Sequence, residues 1–142
     1  MALKIIDHGT KEYQQMVALR EEILRKPLGL NFTDDELEQE KDNLLMAAYE
    51  DEQMLGCCML VKEGEDTVRL RQMAVLNDLQ GKGVGRDLIQ FAENLARDRG
   101  YKKITMHARK NSIGFYEKMG YRRVGGEFHE ITIPHYVMEK EL

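Results

Sequence analysis

The chain has 142 residues, 42% hydrophobic and 32% charged, with twelve Gly and two Pro, the profile of one ordinary globular domain rather than a disordered, fibrous or multidomain chain. Its 21 basic and 25 acidic side chains leave a formal charge of −4, which argues against nucleic-acid binding through a basic field. The apolar runs are far shorter than the ~20 residues that span a bilayer, Lys4 and Asp7 interrupt any leader-like start, and adjacent Cys57 and Cys58 suit neither a disulfide framework nor a zinc site. The expectation is a metal-free domain over residues 1–142, in a reducing cytoplasm, that binds neither nucleic acid nor membrane.

In chain order, Leu3–Asp7 reads as a short strand, and Thr10 as the cap of a helix with Tyr13, Met16, Val17, Leu19, Ile23 and Leu24 at helical spacing. Pro27 and Gly29 end that helix. Thr33-Asp34-Asp35-Glu36 is a capping-box pattern opening a second, acidic helix, and the stretch Asp34–Asp42 is expected to be a solvated face. Leu44–Glu50 and Met54–Lys62 form a predicted hairpin around Asp51-Glu52-Gln53. In Asp66–Leu76, strict alternation puts Val68, Leu70, Gln72, Ala74 and Leu76 on one face. The loop Gln80–Gly85 enters a helix whose apolar positions are Val84, Leu88, Phe91, Ala92, Leu95 and Ala96, stopped at Gly100. A strand at Lys103–Ala108, a helix over about residues 111–119, and strands at Tyr121–Phe128 and Ile133–Glu139 complete the order. Three consecutive strands followed by strand–helix crossovers predict an α/β fold: a mixed central sheet of about seven strands flanked by about four helices.

The glycine loop is the chemically informative segment. In Gln80-Gly81-Lys82-Gly83-Val84-Gly85-Arg86, alternate glycines let backbone N–H groups turn toward one point just before a helix N-terminus, a setting that favours an anion such as phosphate. Lys82 and Arg86 add positive charge there. A Walker A loop requires a hydroxyl residue after Gly81-Lys82, where Gly83 stands, and a dinucleotide fingerprint requires G-x-G-x-x-G after a first strand. Neither pattern fits.

The hexapeptide resembles Q/R-x-x-G-x-G/A, the acetyl-CoA pyrophosphate loop of the GNAT superfamily of N-acetyltransferases. Ser112-Ile113-Gly114-Phe115-Tyr116-Glu117-Lys118-Met119-Gly120-Tyr121 is similar to that family's A-I-x-F-Y-E-K-x-G-F/Y segment, with Ser112 in place of Ala. The ending Phe128–Met138 resembles that of ElaA-like members, with Thr132 in place of Gly. The resemblance implies the acyl-CoA N-acyltransferase fold and acetyl-CoA as co-substrate. It implies that Gln80, Gly81, Lys82, Gly83, Val84, Gly85 and Arg86 cradle the pyrophosphate, and that Met73, Ala74 and Val75 offer backbone groups to the pantetheine arm and the oxyanion. Arg109 stands where many members carry a cofactor-touching Asn, and Asn111 is the candidate to replace it.

The implied reaction is direct attack of an amine on the thioester in a ternary complex. Tyr116 matches the family tyrosine that faces the sulfur. The strand before the loop, Arg69-Leu70-Arg71-Gln72-Met73, lacks the Glu many members use as base. Glu127, His129, Glu130 and His135 are the alternatives, beside a water-relayed route, and His135 stands out because imidazole titrates near neutrality. The missing carboxylate also leaves a second reading, a non-catalytic acyl-CoA-binding or sensing module. The acceptor is expected to be a small-molecule or peptide amine, and Tyr121–Leu142 to offer an edge for a homodimer.

Overall fold

The computed structural model describes residues 1–142. Its strands are β1 (Ala2–Ile6), β2 (Leu44–Glu50), β3 (Gln53–Lys62), β4 (Thr67–Val75), β5 (Lys103–Arg109), β6 (Arg122–Glu130) and β7 (Ile133–Glu141). They form one seven-stranded sheet in the order β1-β2-β3-β4-β5-β7-β6, antiparallel except for the parallel pair β4–β5. The helices are α1 (Lys11–Arg20), α2 (Asp34–Glu38), α3 (Val84–Asp98) and α4 (Ile113–Lys118). This is the predicted mixed sheet with four helices.

Local signals act as their chemistry dictates. The Thr10 hydroxyl accepts the Tyr13 N–H at the start of α1, and Thr33 and Glu36 form a reciprocal capping box on α2. Past Arg20, α1 widens into one π turn, Glu21–Arg25, and a 3₁₀ turn, Lys26–Leu28, closed by left-handed Gly29. The second helix is shorter than expected. Its acidic stretch is also not wholly solvated, which corrects the expectation: Glu40 is 6% exposed and takes a bidentate ion pair from fully buried Arg20, at 2.7 and 2.6 Å, plus the Tyr13 hydroxyl at 2.8 Å. Three hydrogen bonds from two partners offset the cost of burying that carboxylate.

Side chains alternating along β2 and β3 divide the core in two. Met46, Ala48, Cys58 and Leu60 pack with Leu88, Ile89, Ala92 and Ala96 of α3 on one face. Leu45, Ala47, Cys57 and Met59 pack with Tyr13, Met16 and Leu19 of α1 on the other. Cys57 and Cys58 are thus fully buried on opposite faces, as period-2 geometry requires. Each large side chain so buried contributes roughly 1.5–3 kcal/mol before entropy is charged against it. A second buried polar tie orders the C-terminal half: Glu93 of α3 accepts from the Tyr121 hydroxyl at 2.8 Å and from Lys140 at 3.1 Å, while Lys140 also donates to the Met119 carbonyl at 2.8 Å. That clamp fixes α4 and β7 against α3.

Candidate active site

Two breaks in regularity shape the site. The parallel ladder between β4 and β5 runs from Thr67↔Lys103 to Leu70↔Met106 and stops, although β4 continues to Val75 and β5 to Arg109. The strands therefore part toward their C-terminal ends, as ligand crevices in open α/β sheets do. On its other side β4 carries a bulge, where the β3 register steps from Met59↔Arg71 to Cys57↔Ala74. One β3 residue thus faces two on β4. Gln72 sits there at φ +56°, and its carbonyl receives the Cys57 thiol at 3.7 Å.

The bulge corrects the uniform alternation expected of this strand. Val68 and Leu70 face the α3 core, but after the extra residue Ala74 joins the α1 core, and Met73 and Val75 pack toward α3. β4 thereby presents a kinked backbone edge where its partner has withdrawn. One of its carbonyls, that of Val75, is taken by the Gln80 side-chain amide at 3.2 Å, which also reaches Asn77. Gln80 therefore braces the loop it begins.

The loop itself depends on Gly81 and Gly83, at φ +81° and +92°, conformations a side chain strains to adopt. Gly83 caps α3 without a side-chain bond, and the first helical bond runs from the Asp87 N–H to the Gly83 carbonyl at 3.0 Å. The N–H groups of the turn before Asp87 are left without helical partners. The Arg86 guanidinium folds back so that Nη2 would lie 3.4 Å from a Cβ placed on Gly83. Backbone donors, helix dipole and cationic head thus converge on one spot, fit for a phosphate group.

From across the cleft, α4 meets this loop. A Cβ on Gly85 would stand 3.6 Å from Phe115 Cζ and 3.8 Å from Val75 Cγ2, so the end of β4, the start of α3 and α4 adjoin. Successive residues on a helix point about 100° apart. Phe115 is accordingly 42% exposed and Tyr116 only 8%. Tyr116 packs edge-on against Phe115 and Tyr121. Burial, and secondarily the neighbouring Cys58, push its phenol up to about 12. It stays protonated through the physiological range.

On the α1 side of the sheet, next to the point of parting, lies a polar group. His135 is buried, with Nδ1 2.7 Å from the Ile133 carbonyl and its ring stacked on Phe128 at 5.8 Å. Its Nε2 lies 3.6 Å from Glu130 Oε2. Glu130 Oε1 is 3.5 Å from His107 Nδ1 and 3.9 Å from Arg69 Nη2, while Arg69 Nη2 donates to that same His107 nitrogen at 2.8 Å. Arg69 Nε is buried without a partner. His135 and Glu130 were expected from the sequence but Arg69, His107 and Phe128 were not, because a grouping that spans four strands leaves no local signal.

Glu127 is placed differently. Lys110 holds its carboxylate at 3.0 Å and, with the help of nearby cationic charge, below the ordinary carboxylate range. It turns toward Tyr136, on the opposite face of β6 from Phe128 and Glu130. The structure does not bring it to His135. Arg109, Lys110 and Asn111 line an open hollow of about 450 Å³ with Ile133 and Pro134 at the end of β5. Arg109 and Asn111, the two alternatives for the cofactor-facing position, share that wall.

A family model described as "Acetyltransferase (GNAT) domain" matches residues 11–142. Bacillus subtilis YjcF, an uncharacterized N-acetyltransferase, is 28% identical over 96% of this chain and 98% of its own length. Among solved structures, Escherichia coli ElaA superposes with a TM-score of 0.85 at 17% identity, covering 99% of both chains. A GNAT family acetyltransferase from Elizabethkingia anophelis, solved with acetyl-CoA bound, gives 0.75 at 19% identity, over 99% of this chain and 97% of that one.

Proposed function

The chain belongs to the GNAT acetyltransferase family, and we propose that it transfers an acetyl group from acetyl-CoA to an amine by direct attack in a ternary complex. The observation that carries this reading is the junction of parted β4 and β5 strands with a left-handed glycine loop opening α3. Acetyl-CoA supplies an acyl group activated as a thioester. The N–H groups from Gly83 to Arg86, with Lys82 and Arg86, bind the pyrophosphate, while Gly81 shapes the turn, Val84 anchors it in the core and Gly85 leaves room beside Phe115. Met73 and Val75 hold the pantetheine arm through the free edge of β4. A backbone N–H at Met73 or Ala74 stabilises the oxyanion, a role for which fixed donors need no reorganisation. Asn111 reaches the arm from the end of β5.

Tyr116 serves the leaving group as a hydrogen-bond donor. With the phenol near 12 and a thiol near ~8.5, complete proton transfer to the thiolate is uphill, so solvent finishes the protonation. His135 removes the amine proton. Direct attack is supported by both cysteines being buried, with thiols pushed up by desolvation, Cys57 to about 12. Such thiols are poor acyl carriers.

A single-turnover experiment tests this reading. With enzyme in excess over acetyl-labelled acetyl-CoA and an amine present, label should pass to the amine with none found covalently on quenched protein. Label retained on protein would contradict direct attack, and label left on acetyl-CoA across a broad amine panel would favour the sensing module.

A further inference from the structure

We propose that Glu130 is a positioning residue for proton removal: its carboxylate faces His135 Nε2 and receives that nitrogen's hydrogen once the amine's proton has arrived. The inference rests on the acetyl-transfer reading and concerns the proton route within it. A carbonyl only accepts, so the 2.7 Å contact to Ile133 places a hydrogen on His135 Nδ1. Nε2 is then the proton-exchanging atom, and its nearest carboxylate oxygen is Glu130 Oε2 at 3.6 Å.

At that separation the neutral ring makes no hydrogen bond to Glu130, because a lone pair faces an anion. When Nε2 gains a proton, the same geometry becomes a charge-assisted pair after a small approach or through one water. The contact therefore strengthens as the reaction proceeds, which is the kind that accelerates a step rather than merely binding substrate.

The surroundings leave Glu130 free for this. A guanidinium only donates, so the 2.8 Å contact from Arg69 makes His107 Nδ1 an acceptor, and that nitrogen has no hydrogen for Glu130. Arg69 itself is 3.9 Å away. The charged and titratable groups facing the pair are Arg69 on β4 and His107 and Arg109 on β5, Arg109 standing directly across from His135 in the β5–β7 ladder, with Arg71 and Glu63 near Arg69. Along β6, His129 and Glu127 alternate to the other face. Phe128 stacks on His135 and meets His107 edge-on, holding both rings.

R–NH₃⁺ gives one proton to His135 Nε2, directly or through water. The freed nitrogen pair forms the C–N bond, the C–S bond breaks, the remaining acidic N–H proton passes to solvent, and solvent returns one to the Tyr116-bonded thiolate, giving CoA–SH. The His135 proton leaves past half-exposed Glu130 to solvent, one proton released per acetyl group moved.

The test compares wild type, Glu130→Gln, Glu130→Asp, His135→Asn and the double variant Glu130→Gln/His135→Asn. The rate is kcat/KM for the fastest of spermidine, tyramine, lysine and kanamycin at saturating acetyl-CoA. If none is turned over, acetyl-CoA hydrolysis is read, since water then loses the proton. His135→Asn should lose ~10²-fold. Glu130→Gln should lose about 10-fold with the KM for acetyl-CoA unchanged, Glu130→Asp should recover part of that, and the double variant should fall within about twofold of His135→Asn alone. Full activity in Glu130→Gln, or equal losses with and without His135, overturns the proposal while leaving acetyl transfer intact. Full activity in His135→Asn overturns the whole proton route. Wild type inactive in both reactions overturns the acetyl-transfer reading and this inference with it. Thermal unfolding of each variant separates misfolding from chemistry, and Glu130→Asp carries the comparison if Gln does not fold.

Discussion

Tyr116 shows how one side chain's surroundings choose its role. A phenol held neutral by burial is a stable hydrogen-bond donor, not a titrating acid, which suits the role proposed for it at the leaving sulfur. Tyr116→Phe should lower kcat by roughly 10- to 100-fold with little change in the KM for acetyl-CoA. Because the phenol lies near 12, the wild-type pH–rate profile should show no alkaline decline below about pH 10 that disappears in Tyr116→Phe. The cysteines give a second check at this scale. Both are fully buried, with thiols raised by desolvation, so a thiol reagent at pH 8 should find almost none in native protein and both on denaturation. Fast native labelling would contradict the packing. At this scale the motif residues were legible, while the division of labour among the acids was not. Glu127 and Glu130 look alike in sequence, and only the pairing of β6 with β7, disturbed between Val124 and Phe128, decides which of them meets His135.

Elements were legible wherever a local interaction sets them. Thr10, the Thr33–Glu36 box and Gly100 mark ends that the structure keeps. The β4 bulge was not legible, because it is imposed by the β3 register and declares itself only through Gln72 at φ +56°. One residue's slip there moved Ala74 to the opposite core, a change no pattern of hydrophobic residues announces. The tip of the β6–β7 hairpin carries strain of the same kind. Ile131 and Thr132 both lie in the left-handed region, at φ +51° and +62°, which suits Asn-Gly and burdens β-branched residues. Replacing the pair by Asn-Gly should stabilise the protein by about 1–2 kcal/mol, read as a raised midpoint in urea. An unchanged or lower midpoint would show that the exposed Ile131 side chain contributes packing that offsets its backbone cost.

Across the whole molecule, two buried polar ties hold elements on opposite faces of the sheet, Arg20–Glu40–Tyr13 and Glu93–Tyr121–Lys140. Composition and charge could not foresee them. They follow from long-range packing that brings a charge into the interior only when its partner comes too. Glu40→Gln leaves the Arg20 cation without a counter-charge and should cost ~3–5 kcal/mol in equilibrium unfolding, whereas a change below about 1 kcal/mol would mean water reaches that pair. The fold class was legible because strand and helix order alone limits a mixed sheet to few arrangements. The acceptor was not, since the polar group around His135 draws on β4, β5, β6 and β7 at once. Amine-dependent release of CoA, followed by mass spectrometry of the amine, decides whether this chain moves an acetyl group. Wild type should release CoA in proportion to acetylated amine, and Gly83→Val, which strains the left-handed glycine loop before α3, should raise the KM for acetyl-CoA by about 10-fold or more. Tight binding of acetyl-CoA with no acetylated product from any amine would mean that the chain binds the thioester without transferring its acetyl group.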